Sequence, residues 1–287
     1  MRIGIIGLGL IGASLAKAFK NNSLYVWGID KDDNAIEDLR SENIIDKGYS
    51  TIEEAKDELK ESDFIFICVY PSMVKKILES IKPYLKEDQI VIDSASTKQK
   101  IVFFANKDPL LTKVFIGGHP LAGKENSGYK NSSADLFRGK IFFLVPSQEV
   151  TFLKIDKAKE LIESIGARAM ITTPIYHDIT LAYISHLPQI IAYILADTSI
   201  NRDRGKTFGT GFKDTTRIAK SPVPLWLDII KENKTHILKS MRDFYSNFIR
   251  VYNAIEKEEW EELEKIFKTA REKRLKIEEI NNEANKN

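Results

Sequence analysis

MRIGIIGLGLIGASLAKAFKNNSLYVWGIDK, residues 1–31, reads as a short apolar strand, a Gly7-x-Gly9-x-x-Gly12 turn, a helix, a second strand and an acid at its end. Each part of this βαβ pattern has a separate physical job. Gly7 permits the tight turn after the strand, Gly9 lets the backbone approach a pyrophosphate, and Gly12 lets the helix pack closely on the sheet. Leu10 and Ile11 open that helix, whose first N–H groups and partial positive charge face the phosphates. Asp30 ends the second strand, where a carboxylate accepts hydrogen bonds from both hydroxyls of an adenosine ribose. NAD is therefore expected over NADP, whose ribose phosphate would meet a like charge, softened by Lys31 next door.

The bulk numbers bound the function class. The chain has 287 residues, enough for two domains with a substantial core. Its 43 Lys and Arg nearly cancel its 41 Asp and Glu, so no whole-chain field recruits nucleic acid or an anionic membrane. The one cysteine, Cys68, lies in the apolar run Phe64-Ile-Phe-Ile-Cys-Val69 and reads as a small core residue rather than a nucleophile. The chain starts directly on a core strand and has no uninterrupted apolar stretch of membrane-spanning length, so a soluble cytoplasmic protein is expected.

Strand-like runs and amphipathic helices alternate through the first 170 or so residues, as parallel α/β folds require. After the first two strands come runs at 64–69, 90–93, 114–117, 142–145 and 167–172, with helical periodicity at 52–62, 73–85, 98–106 and 152–165. From Ile175 strand signals stop, and Ile237, Met241, Phe244, Phe248, Tyr252 and Ile255 recur at helical spacing. The expected fold is α/β: a Rossmann-type doubly wound sheet over 1–172, then an all-helical domain over 173–287. Aromatic helix faces of that kind pack well against a second copy, so a homodimer through the helical domain is expected.

Four histidines occur, and two stand in unusual settings. His119 follows an apolar run and opens His-Pro-Leu-Ala-Gly123-Lys-Glu125-Asn-Ser-Gly128, a loop dense in Gly and Pro at a strand's carboxyl end, where α/β proteins place ligands. It can take a proton from a substrate hydroxyl, or it can simply cap a turn. His186 lies in Ile184-Ser-His-Leu-Pro188, either facing the cleft or satisfied in the core, beside a proline that breaks the helical ladder. His177 beside Asp178 reads as helix-start chemistry, and His236 is given no role. Lys213 and Arg217 in Gly209-Thr-Gly-Phe-Lys213-Asp214-Thr-Thr-Arg217 share a face if the segment is helical, either a solvated charged face or paired cations for a dianion that Arg can grip with two hydrogen bonds. Ser96, after the strand at 90–93, can cap a helix starting at Thr97, and can also reach a reacting hydroxyl or the nicotinamide. Nothing in the pattern points to a metal.

Gly7-x-Gly9-x-x-Gly12, Asp93-x-x-Ser96-x-Lys98, Gly118-His-Pro-Leu-Ala-Gly123-x-Glu125, Ser185-His-Leu-Pro188 and Gly211-Phe-Lys-Asp-x-Thr-Arg217 together resemble the prephenate dehydrogenase family of tyrosine biosynthesis. The resemblance spans residues 1 to about 230 and implies a Rossmann domain, a helical dimerisation domain, and NAD-dependent oxidative decarboxylation of prephenate to 4-hydroxyphenylpyruvate. It implies that His119 is the catalytic histidine, that Ser96 orients the ring hydroxyl and contacts the nicotinamide, and that Arg217 binds a carboxylate. Lys213 and His186 would lie near the substrate's other polar end. Glu125 would pair with an active-site arginine, and Trp226 and Asp214 would support the site.

Three positions depart from the family pattern: Gln189 where a second histidine is frequent, Thr210 where a glycine is, and Lys124 where a small polar residue is. They bear on prephenate against its aminated relative arogenate. Two other readings compete. A 3-hydroxyacid dehydrogenase would use a lysine base on the helical domain and leave His119 idle. A non-catalytic NAD-binding module would leave Lys213, Arg217 and His186 unexplained.

Overall fold

The computed structural model describes residues 1–124, 126–203 and 207–284, without the side chains of 200–203 and 279–284. Its strands are β1 (Arg2–Ile6), β2 (Tyr25–Ile29), β3 (Lys47–Tyr49), β4 (Phe64–Ile67), β5 (Ile90–Asp93), β6 (Phe115–Pro120), β7 (Ile141–Pro146) and β8 (Arg168–Ile171). They form one sheet in the order β3-β2-β1-β4-β5-β6-β7-β8. The order reverses between β1 and β4, the switch point outside which doubly wound sheets bind ligands.

Alternate side chains feed two cores, one on each face. Ile3, Ile5, Phe64 and Phe66 point into one with Phe19, while Ile6, Ile65 and Ile67 point into the other with Trp27. Burial on both faces is why these strands read as continuous apolar runs. Gly7 has φ +96°, and a Cβ on Gly12 would stand 1.8 Å from the Gly7 carbonyl oxygen, so turn and helix approach as the glycine pattern requires.

Three expectations need correction. An eighth strand, β3, was not expected; with only Lys47, Gly48 and Tyr49 it carries too little apolar signal. The sheet is not wholly parallel: β7 runs antiparallel to β6, with His119 opposite Phe143. His119 accordingly sits within a strand rather than in the loop after one, held by a backbone ladder.

After β8 every described element is helical. Helix Pro174–Leu181 leads through a π-helical turn, Ala182–His186, into Leu187–Asp203. Pro188 has no N–H for the carbonyl four residues earlier, and the widened turn just before it is how the chain absorbs that gap. The stretch Pro174–Ser199 is long and apolar enough to cross a bilayer, with mean hydropathy 1.5. Yet its Asp178 carboxylate accepts backbone N–H groups of Lys98 and Gln99 beside the sheet, at 2.7 and 2.9 Å.

Helix Val223–Glu232 also meets the sheet layer: Asp228 accepts the N–H of Ser72 at 2.9 Å, at the start of helix Pro71–Ile81. The chain divides into compact units at residues 1–236 and 237–287. In the second unit the helix Lys234–Glu256 exposes Phe244, Phe248, Tyr252 and Ile255, and an Arg250–Glu262 ion pair links it to helix Trp260–Ala284.

Candidate active site

A continuous trough runs past the carboxyl ends of the central strands. At one end Gly7, Gly9, Asp30 and Lys31 stand over an apolar floor of Ile52, Val69, Met73 and Ile77. Gly9, Val69 and Tyr70 continue into a second compartment with Leu10, Ile11, Ser96, His119 and Lys124. His119 and Lys124 lead on into a third, about 520 Å³, lined also by Leu181, Ile184, Ser185, Gln189, Arg217 and Trp226. That volume suits a small ligand.

The first two compartments fit a dinucleotide. A Cβ placed on Gly9 meets nothing within 4 Å, so the backbone at the helix start is open to an approaching phosphate. Asp30 Oδ2 accepts the Leu8 N–H at 2.5 Å and Oδ1 accepts that of Asp32 at 3.0 Å, which fixes the carboxylate at the mouth of the adenosine end. Cys68, lining the trough, is kept protonated by burial, which pushes its thiol up to about 12.

At the other end His119 is backed by a chain of polar groups. Its Nδ1 lies 2.9 Å from Nε2 of His177, whose Nδ1 lies 2.7 Å from Asp178 Oδ1. Burial drives His119 well below the usual imidazole range, with His177, Lys98 and His186 adding repulsion, and burial likewise lowers His177. Burial alone would raise Asp178, but hydrogen bonds from His177 and from the backbone of Gln99 and Lys98 hold it below its ordinary value. Phe143 packs edge-on against His177 at 5.1 Å and keeps the pair dry. Beneath, Asp93 accepts the Gly118 N–H at 3.0 Å and pairs with Lys98, both fully buried, so the residue before His119 is pinned to the end of β5.

Two models of known families match: the nucleotide-binding domain of prephenate dehydrogenase over residues 15–171 and its dimerization domain over 173–269. The chain belongs to the prephenate dehydrogenase family. A curated relative, the cyclohexadienyl dehydrogenase of Zymomonas mobilis, is 31% identical over 96% of this chain and 95% of its own. The prephenate dehydrogenase of Aquifex aeolicus, solved with hydroxyphenyl propionate and NAD+, superposes with a TM-score of 0.89 at 32% identity, covering 96% of this chain and 98% of that one. Synechocystis arogenate dehydrogenase gives 0.83 at 28% identity over 96% of this chain and 99% of that one.

Within this family member the expected residues separate into groups. His119 and Arg217 line the same compartment, as the reading of a single bound dianion requires. Gly9, Leu10, Ile11 and Ser96 line the trough with His119, and Gly7 and Asp30 line its far end. Ser96 does not cap the following helix. That helix begins at Gln99, and Asp178 takes the N–H groups at its start, while Ser96 lines the trough.

His186 lines neither compartment. It is 1% exposed, its Nδ1 faces the Asn233 amide at 3.2 Å, its ring packs on Trp226, and burial lowers its pKa to about 4. Lys213 is exposed on the short helix Thr210–Thr216 and is not among the residues that line the three compartments. Glu125 lies outside the described residues.

Two positions at the site, His177 and Asp178, read in the sequence only as helix-start chemistry, and two more, Lys124 and Gln189, only as departures from the family pattern. His177 and Asp178 back His119; their adjacency at a helix start is the local signal. Lys124 and Gln189 line the substrate end, with Gln189 fixed by donating to the Ile218 carbonyl at 2.7 Å.

Proposed function

We propose that this enzyme carries out the NAD-dependent oxidative decarboxylation of prephenate to 4-hydroxyphenylpyruvate in tyrosine biosynthesis, working in the cytoplasm as a homodimer joined through the helical domain over 173–287. The supporting observation is the meeting of His119 and Arg217 in one compartment that opens onto the dinucleotide trough.

NAD supplies the hydride acceptor when bound, held by the backbone at Gly7, Gly9, Leu10 and Ile11, with Asp30 toward the ribose. The chain's own residues do the rest. His119, neutral at physiological pH, takes the proton of the ring hydroxyl as that C–O bond becomes a carbonyl. Ser96 orients the hydroxyl. Loss of the ring carboxylate as CO2 restores aromaticity, so the remaining task is to fix the substrate's orientation. Arg217 grips one carboxylate through its forked guanidinium, and Lys124 adds a second positive charge to the same compartment. Leu181, Ile184 and Trp226 give the compartment apolar lining.

Two cations favour the dianion prephenate over arogenate, whose ammonium brings a like charge into the cleft. The test follows reduced-cofactor absorbance for each pairing of NAD or NADP with prephenate or arogenate. NAD with prephenate should give the highest kcat/KM. A higher value with arogenate would overturn the substrate choice, and no turnover with any pair would leave a binding module.

A further inference from the structure

The hydrogen-bond directions behind His119 can be worked out from Asp178 outward. Its carboxylate accepts the Lys98 and Gln99 N–H groups at 2.7 and 2.9 Å, which holds it as an ionised acceptor. His177 Nδ1, 2.7 Å away, must then carry a proton and donate it. A neutral His177 protonated at Nδ1 offers a lone pair at Nε2, so the contact at 2.9 Å is donated by His119 Nδ1. That leaves the lone pair of His119 on Nε2, the ring nitrogen not engaged by His177.

We propose that His177 and Asp178 form a positioning relay that fixes the tautomer of His119, keeping its Nε2 unprotonated as the base and stabilising the imidazolium formed when the substrate proton arrives. The proposal rests on the reading of His119 as the base. The step balances: the hydroxyl O–H bond breaks, an Nε2–H bond forms, and the positive charge so created is shared through His177 toward the Asp178 carboxylate. No proton need leave either residue. The other charged or titratable groups around His119 are Asp93 and Lys98 at the end of β5, His186 in the π-helical turn, and Lys124 and Arg217 across the cleft. Of these neighbours, His177 is hydrogen-bonded to the imidazole itself, and Asp178 is bonded to His177 in turn.

Nitrogen-15 NMR of imidazole-labelled, full-length enzyme reads the tautomer without turnover. His119 should be protonated at Nδ1 and bare at Nε2. Asp178→Asn keeps its carbonyl oxygen where Oδ1 accepts from both the Lys98 N–H and His177, so the tautomer should hold, while loss of the carboxylate charge should lower kcat within the roughly 10²- to 10⁴-fold span of general-base assistance with KM little changed. His177→Gln can still accept from His119 and donate to Asp178, whereas His177→Leu can do neither, so the glutamine variant should keep kcat at least about tenfold above the leucine one.

An unchanged kcat in Asp178→Asn, a wild-type His119 protonated at Nε2, or equal kcat in the two His177 variants would overturn the relay. If Asp178→Asn fails to fold because the carboxylate also anchors residues 98 and 99, the His177 pair decides. Should wild type show the expected tautomer yet turn over no substrate, the relay stands and the functional reading falls.

Discussion

At the residue scale, His119, Lys124 and Arg217 line one compartment among apolar groups, read above as a base and two cations. His119→Asn should lower kcat by about 10²- to 10⁴-fold while leaving the Kd for NAD unchanged by calorimetry, because the imidazole is needed for proton transfer and not for holding the dinucleotide. Arg217→Lys keeps the charge and loses the fork, so KM for prephenate should rise about tenfold or more, the scale of one charge-assisted hydrogen bond. Much of this was legible: His119 at the end of an apolar run and Arg217 behind a glycine-rich approach have chemistry that local context reveals. His177 and Asp178 were not, because a histidine beside an aspartate in a first helical turn looks like ordinary capping. Their link to the site appears only when the fold brings residue 119 within hydrogen-bond reach of residue 177.

At the element scale, the glycine turn makes two opposite predictions. A methyl at residue 12 would sit 1.8 Å from a backbone oxygen, so Gly12→Ala should displace helix Leu10–Asn21 and lower both thermal stability and NAD binding. A methyl at residue 9 meets no protein atom within 4 Å, so Gly9→Ala should melt close to wild type without cofactor but gain less stabilisation from added NAD. Most strands could be read from their apolar runs, since burial on both faces leaves few polar residues. The direction of β7 could not. Phe142, Phe143 and Leu144 look the same whichever way the strand runs, and the reversal is decided by the return of a twenty-residue excursion to the edge of β6. The π-helical turn was visible only as Pro188, which announces a break without specifying its form.

For the whole molecule, buried neutral histidines set an acid limit. His119, His177 and His186 all have lowered folded pKa values, so their contribution to stability is present above about pH 6.5 and is lost as pH falls toward the folded values. His186 alone, lowered from 6.5 to about 4, accounts for a loss on the order of 3 kcal/mol across that window. Melting curves between pH 7.5 and 4.5 should show the fall, and His186→Asn should flatten it. Light scattering checks the proposed assembly: the wild type should run as a dimer, and Phe248→Asp should shift it toward monomer by placing a charge on the exposed aromatic face. One helix, Val223–Glu232, supplies Leu225 to both the trough and the substrate compartment, while its Asp228 grips the start of the helix behind Tyr70 and Pro71. Occupants on the two sides thus press on a common lever, and linkage makes their affinities reciprocal: whatever factor an inert aromatic diacid imposes on NAD binding, NAD must impose on the diacid.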